Sequence, residues 1–383
     1  MKRWPTKQLG ELVAISKGKK ALATFAAPTK TSLRYLQIED LRVDATMKYC
    51  EPFSCPKATK LDAIIAWDGA NAGTVSCNLE GHIGSTLAIL RPIESNALLA
   101  QFLSRFLEGN FDYLQKTATG ATIPHVSKSA LCALQVPLPT LMEQERIVKL
   151  LDEAGELRKL RAQATSRTAC LIPALFHEMF GKPLADSIPY PVKRIAELVR
   201  EGDRINYGVV QPGDEVPDGI PIVRAGDFDG MSINREHLKC ISPEIEKSYS
   251  RSRLRGDEIL ISCVGSIGSV ALADSSLTGF NIVRAVARVP LRDEIDQVFV
   301  ASQLMTPELQ NFFRRETRTV AQPTLNIRQI EETPIILPPL ALQREFAQRV
   351  TEIRELEASQ AASRAHLDAL FQSMLHRAFN GEL

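Results

Sequence analysis

The chain has 383 residues, 44% of them apolar and 24% charged, with a formal net charge of +1. That length and composition predict two or three soluble globular modules. They exclude a helical membrane protein, since no apolar run approaches the roughly 20 residues a bilayer requires, and they give no bulk-charge signal for nucleic acid. The start, Met1-Lys2-Arg3-Trp4, leads into polar residues and not into an apolar signal core, so the cytoplasm is the expected location. The seven cysteines are scattered at 50, 55, 77, 132, 170, 240 and 263. Without a second pair at zinc spacing, they read as reduced packing residues.

In chain order, a short helix is predicted over Leu9–Ile15, followed by a Gly-containing loop from Ser16 to Lys20. Arg34 to Ile38 reads as a strand. Asp62 to Ala66 forms a buried strand that runs through Trp67-Asp68-Gly69-Ala70-Asn71-Ala72-Gly73 into a second strand. Leu138-Pro139 and Gln144 introduce a long helix. Then the pattern starts again: Trp4-Pro5-Thr6-Lys7-Gln8-Leu9-Gly10-Glu11-Leu12 returns 186 positions later as Tyr190-Pro191-Val192-Lys193-Arg194-Ile195-Ala196-Glu197-Leu198. A helix over Ile195–Val199, a strand over Ile220–Arg224, and a strand–Gly loop–strand block through Val264-Gly265-Ser266-Ile267-Gly268 follow. Leu337-Pro338 and Gln343, 199 positions after their first-copy partners, introduce a second long helix. The predicted divisions are 1–140, 141–181, 186–337 and 341–381.

The long helices carry apolar residues in sevens. The expected seam takes Ile147, Leu150, Ala154, Leu157, Leu171 and Leu175 from the first, and Phe346, Ile353, Leu356, Leu367, Leu370 and Met374 from the second. Helices of this length would not stand alone in water, so the two are expected to pair antiparallel. Pro173 predicts a break that the second helix, with Ala369, does not share. The fold class is α+β: two pseudo-symmetric mixed α/β modules joined by two long antiparallel coiled-coil helices.

Enzymatic chemistry is not visible. Leu337-Pro338-Pro339-Leu340 lacks the amide and aromatic of an amino-methyltransferase turn, the Gly loops lack the Gly-Lys-Ser/Thr ending of a phosphate loop, and the six histidines are dispersed. Polar and basic residues instead collect in loops. Arginine or lysine suits guanine, asparagine or glutamine suits adenine, and other cations hold phosphates without reading sequence. On those grounds the candidates in the first module are Lys17, Lys19, Lys20, Arg34, Gln37, Asn71, Thr119, Thr122 and His125. In the second they are Arg224, Arg251, Arg253, Arg255, Ser266, Arg314, Arg315, Arg318, Gln322 and Asn326, with the alternating Arg251, Arg253 and Arg255 expected to point one way along an extended segment. Residues 1–140 carry 16 basic against 11 acidic residues and 186–340 carry 18 against 22, so any DNA contact must come from local patches. Trp67 reads as core.

Taken together, the paired openings, the two Gly loops, the Thr119-Gly120-Ala121-Thr122-Ile123-Pro124-His125 segment with its counterpart from Thr319 to Asn326, the paired Leu-Pro…Gln turns and the Asn380-Gly381-Glu382-Leu383 ending make the sequence resemble specificity subunits of type I restriction–modification systems. The resemblance covers essentially the whole chain. It implies two target recognition domains, each reading one half of a bipartite site in double-stranded DNA. It also implies a helix pair that sets half-site spacing and docks two methyltransferase subunits, with restriction subunits joining through the complex. Such a subunit is non-catalytic and holds no cofactor; S-adenosylmethionine and ATP are expected on its partners. A protein-binding assembly scaffold, or the specificity subunit of a methyltransferase–nuclease fusion, would share many of these features. The second loop lacks the Trp-Asp-Gly-Ala-Asn wording, and Gln-Pro-Thr-Leu-Asn stands where the first copy has Thr-Ile-Pro-His.

Overall fold

A computed structural model of the chain describes residues 4–42, 47–94, 96–120, 122–185, 187–317 and 323–383. It divides into two compact units: residues 1–163 with 361–383, and residues 164–360.

In unit 1 an antiparallel four-stranded sheet runs in the order Val13–Lys17, Leu87–Pro92, Ala63–Ala66, Val75–Cys77. Beside it lies a second sheet in the order Tyr49–Cys50, Leu33–Leu36, Gly81–Ile83, Lys57–Ala58, whose two central strands are parallel. Unit 2 repeats the scheme. Its main sheet orders Asn206–Tyr207, Val286–Pro290, Glu258–Ser262, Val270–Leu272, and its smaller one Lys239–Ile241, Ile220–Val223, Asn281–Ile282, again with a parallel pair inside. A two-stranded ribbon closes each unit, pairing Thr6 with Pro137 in the first and Val192 with Ile336 in the second. Those partners differ by the 186 and 199 positions that separate the sequence repeats.

The opening helices are shorter than predicted. Leu9–Leu12 is one turn and Ile195–Leu198 is a 3-10 turn. Val13 and Ile15 extend instead, because alternating β-branched residues fit a strand and pair here with Pro92 and Leu90. Ser16 and Lys17 are therefore the end of a strand, and the loop begins at Gly18. Gly18 and its counterpart Gly208 sit where a Cβ would overlap backbone carbonyls, those of Gly84 and Ile83 in the first case and that of Ile282 in the second. Glycine is required there for close approach and not for a left-handed φ.

The first long helix runs Leu141–Thr168 and a shorter one follows, Leu171–Phe180. The break at Ala169-Cys170 lies where the Pro173 ring would clash with the carbonyl four residues back. The second, Leu340–Phe379, is unbroken over 40 residues, roughly 60 Å at 1.5 Å per residue. Within unit 1 the segments are antiparallel: Arg158 pairs with Asp368 at 2.6 Å, and Arg146 donates to the Leu383 carbonyl. Within unit 2, Thr168 bonds Gln360 at 3.0 Å and Phe176 meets Phe346 edge-on.

Both helices enter the cores. In unit 1, Ile147, Leu151, Phe371, Leu375 and Ala378 pack with Ile65, Leu90, Phe102 and Phe106. In unit 2, Phe176, Phe180, Phe346 and Val350 surround Phe299 over Ile259, Ile261 and Val289. Each buried Phe contributes about 1.5–3 kcal/mol relative to exposure.

The seam differs from its expected positions in one row. Ile147 and Phe346 are buried, and Ala154, Leu175, Ile353, Leu367 and Met374 are half-buried. Leu157, Leu356 and Leu370 stand outward at 55%, 47% and 51% exposure, Leu171 is also exposed, and Leu150 is only half-covered. The inward row lies one position later, at Leu151, Arg158, Val350, Glu357 and Phe371. A seam spaced three then four residues can start with either step. The leucines pointed to the wrong one because Arg158 and Glu357 face inward on their aliphatic stems; Arg158 covers the Phe371 ring at 4.4 Å.

Candidate nucleic-acid interface

Each main sheet ends in a Gly loop, and beside it lie the turn after the first sheet strand and the segment after the helices Phe111–Lys116 and Pro307–Glu316. Corresponding main-chain bonds hold these pieces together in both units. Val126 N–H donates to the Trp67 carbonyl in unit 1 and Leu325 N–H to the Cys263 carbonyl in unit 2, at 2.9 and 3.0 Å. Trp67 N–H reaches Thr86, and Cys263 N–H reaches Ala285. Lys19 N–H donates to Ile83, and Val209 N–H to Ile282. A glutamine secures each loop from the neighbouring helix: Gln115 Nε2 donates to the Ala72 carbonyl and Gln310 Nε2 to that of Gly268. Gly69, Gly73, Gly265 and Gly268 all have positive φ, which the loop's turns demand.

On this shared frame the side chains differ. In unit 1, Asp68 accepts from His125 Nδ1 at 2.7 Å and from Lys17 Nζ at 3.4 Å, while Lys17 lies 5.5 Å above the Trp67 ring. Trp67 itself is core, 7% exposed. Lys19, Lys20, Thr119 and Thr122 are exposed around this cluster, and Asn71 accepts from Arg42. Thr119 and His125 bond each other's backbone at 2.9 and 2.7 Å, closing the hairpin that carries Thr122. In unit 2 the matching positions hold Tyr207 for Lys17, Val209 and Val210 for Lys19 and Lys20, Val264 for Asp68, and Thr324 for His125. The Tyr207 hydroxyl donates to the Leu325 carbonyl at 3.0 Å, and burial pushes its pKa up to about 12, so the phenol stays neutral. Burial likewise drives the Cys263 thiol to about 12, making it a packing residue.

The remaining candidates have mixed surroundings. Half-buried Arg34 pairs with Asp40 at 3.2 Å, and Gln37 begins the 3-10 turn that Asp40 caps. Arg224 is tied to Asp227 and to the His237 carbonyl. Arg251, Arg253 and Arg255 are all outward, yet Ser250–Ser252 is a 3-10 turn and not extended. Arg253 is gripped by Glu246 at 2.8 and 2.5 Å, and Arg255 lies 3.7 Å from Asp203. The Arg251 carbonyl accepts from Asn206, which neighbours Tyr207, so this turn borders the loop cluster. Arg314 and Arg315 are exposed on the helix Pro307–Glu316, with Arg314 bonded to Asn311. Ser266 lies in the Gly loop 3.4 Å from Ser262, and Asn326 caps the helix Ile327–Glu331 through the Gln329 N–H. Arg318 and Gln322 lie outside the described residues. Sequence reasoning passed over Arg42, Tyr207, Val210 and Arg284. The signal was Gly18 matching Gly208, which would have aligned the divergent positions.

Two copies of one frame, differing in side chains where the loops converge, define an internally duplicated two-module protein. The chain belongs to the family of type I restriction modification DNA specificity domains, whose model matches residues 1–165 and again 190–363. It is a DNA-recognition subunit of a type I restriction–modification system. It is 27% identical over 356 residues to the specificity subunit of the type I restriction enzyme EcoBI of Escherichia coli, covering 84% of this chain and 73% of that one. To the MjaVIII specificity subunit of Methanocaldococcus jannaschii it is 21% identical, over 99% and 93% of the two chains. A chain from a study of complex assembly and conformational transition in a type I system shares the fold, with TM-score 0.66, 24% identity and coverage of 100% and 99%. So does the S subunit from M. genitalium, with TM-score 0.56, 16% identity and coverage of 98% and 96%.

Proposed function

We propose that each unit reads one half of a bipartite site in double-stranded DNA through its three-loop cluster. The observation that carries this is the divergence of Lys17, Asp68 and His125 into Tyr207, Val264 and Thr324 on a main-chain frame whose principal bonds repeat. Lys17, Lys19 and Lys20 supply unit 1 with cations, and Arg251, Arg314 and Arg315 do so for unit 2. Asn71, Thr119, Thr122, Arg34, Gln37, Arg224, Ser266 and Asn326 contribute nearby or positioning contacts.

The long helices act as the spacer and as the docking surface for two methyltransferase subunits. Leu157, Leu160 and Leu370 of unit 1 and Leu356 of unit 2 leave apolar surface exposed on them, as does Leu171 at the start of the short helix that follows the first, which suits a protein partner. Restriction subunits join through that complex. The chain performs no catalysis and carries no cofactor of its own; S-adenosylmethionine and ATP are used by the partners.

The test is anisotropy of the assembled methyltransferase complex on its own duplex over a salt series. Replacing Lys17, Lys19 and Lys20 together by Ala should weaken binding and lower the salt slope by up to about 3, near one per phosphate contact. An unchanged slope contradicts a DNA role for this loop.

A further inference from the structure

In unit 1 Lys17, Asp68 and His125 form a polar, partly exposed cluster beside the Gly loop. The unit 2 counterparts leave an open cleft of about 410 Å³, whose lining includes Tyr207, Val210, Pro212, Val264, Val283 and Arg284. Its walls are mostly apolar. Val210 is 48% exposed, too much for a packing residue, and the Tyr207 ring is fixed by its bond to the Leu325 carbonyl. Arg284 supplies the charge. It is exposed, and among the described residues its guanidinium has no carboxylate or hydrogen-bond partner, unlike Arg253, Arg255 and Arg288. Its backbone N–H donates to Val209 at 2.8 Å, which fixes the base of the side chain at the cleft. The position matching Arg284 in unit 1 is Ser85.

We propose that this cleft is the base-reading surface of unit 2, receiving the 5-methyl edge of a thymine against Val210 and Val264 while Arg284 reads a neighbouring guanine. The inference rests on the DNA-reading function of the unit and adds the chemistry it selects. An apolar wall rewards a methyl group and offers no donor or acceptor to other base edges. A guanidinium makes the bidentate fork that fits guanine O6 and N7. The two units therefore read by different means: unit 1 through a polar, hydrogen-bonding cluster, unit 2 through apolar contact plus one arginine.

The experiment uses the chain assembled with its methyltransferase subunits and duplexes carrying the methylation-mapped site. The unit 2 half-site is the one whose base discrimination is unchanged by Asp68→Ala and His125→Ala, the polar pair of the unit 1 cluster. Replacing its thymines one at a time by deoxyuridine removes a single methyl, and one position should lose about fourfold in affinity, the value of a buried CH₂. Val264→Asn, which puts a hydrated amide where the methyl would sit, should abolish that difference. Arg284→Ala, which keeps the backbone bond, should reduce discrimination at one guanine of the same half by roughly 5- to 150-fold. The proposal is overturned if no thymine is methyl-sensitive, or if Arg284→Ala weakens all duplexes equally and lowers the salt slope by about one, the mark of a phosphate contact. A wild-type complex that fails to distinguish its mapped site from scrambled duplex would instead defeat the underlying DNA-reading assignment.

Discussion

Gln144 offers the sharpest test of the shared frame. Its side chain is fully buried: Oε1 accepts from Leu99 N–H at 2.9 Å, and Nε2 donates to the carbonyls of Ala97 at 2.8 Å and Pro139 at 3.0 Å. One amide thus ties the start of the long helix to the entry of the helix Ala100–Gly109. Gln343 does the same in unit 2, accepting from Asp296 N–H and donating to the Pro338 carbonyl. Gln144→Met keeps the volume but orphans one N–H and removes a donor from two carbonyls. An unsatisfied buried group costs about 1–3 kcal/mol, so the change should destabilise unit 1 by about 2–4 kcal/mol. Gln343→Met, with fewer bonds lost, should cost about 1–3 kcal/mol in unit 2. Hydrogen exchange read by mass spectrometry, together with denaturant unfolding, reports each unit separately. Gln144→Met should accelerate exchange around Leu99 and spare the peptides around Asp296, and the double variant should be additive because the sites share no partner. If the Leu99 amide keeps its protection and stability moves by less than about 0.5 kcal/mol, the glutamine is not the tie described.

Inserting four residues into each long helix, after Gln163 and after Gln360, adds about 6 Å, or slightly more than one turn. A helix pair that sets spacing should then lengthen the unread gap in the methylated motif by one or two base pairs at 3.4 Å each; an unchanged gap refutes the ruler. The two hydrogen bonds from Arg253 hold the buried Glu246 carboxyl below its usual range, against the opposing effect of burial. A depressed folded-state pKa contributes stability that is present above the unfolded value near 4.3 and is lost as pH falls through the folded one. Unit 2 should therefore lose stability in acid, and Glu246→Gln should flatten that part of the profile. An acid limb identical in the variant would remove Glu246 from the explanation.

The frame was largely legible because it is repeated. The ribbon partners, the Gly loops and the two Leu-Pro…Gln turns appear twice in sequence and twice in space. Their chemistry is local: positive φ at Gly69 and Gly265, a break set by Pro173. The opening helices were misjudged because a four-residue turn has too little periodicity to separate from the alternation Val13–Ile15. The outer leucines of the long helices were misplaced because position, and not hydrophobicity, decides which residue faces inward, and Arg158 and Glu357 do so. The recognition residues were the least legible. Arg34, Arg224 and Arg253 look in sequence like free cations, yet each is engaged by an acid: Arg224 by Asp227 three residues on, Arg34 and Arg253 by Asp40 and Glu246 across a turn. Tyr207 and Val210 look like core residues, yet they line a cleft.

The methylome of a strain expressing the intact system tests the central claim most directly, compared with one carrying Lys17→Ala and Asp68→Ala in unit 1. The account predicts a bipartite motif in which the variant alters or relaxes one half and leaves the other half and the spacing as they were. A continuous motif, or a variant that changes both halves together, would contradict it.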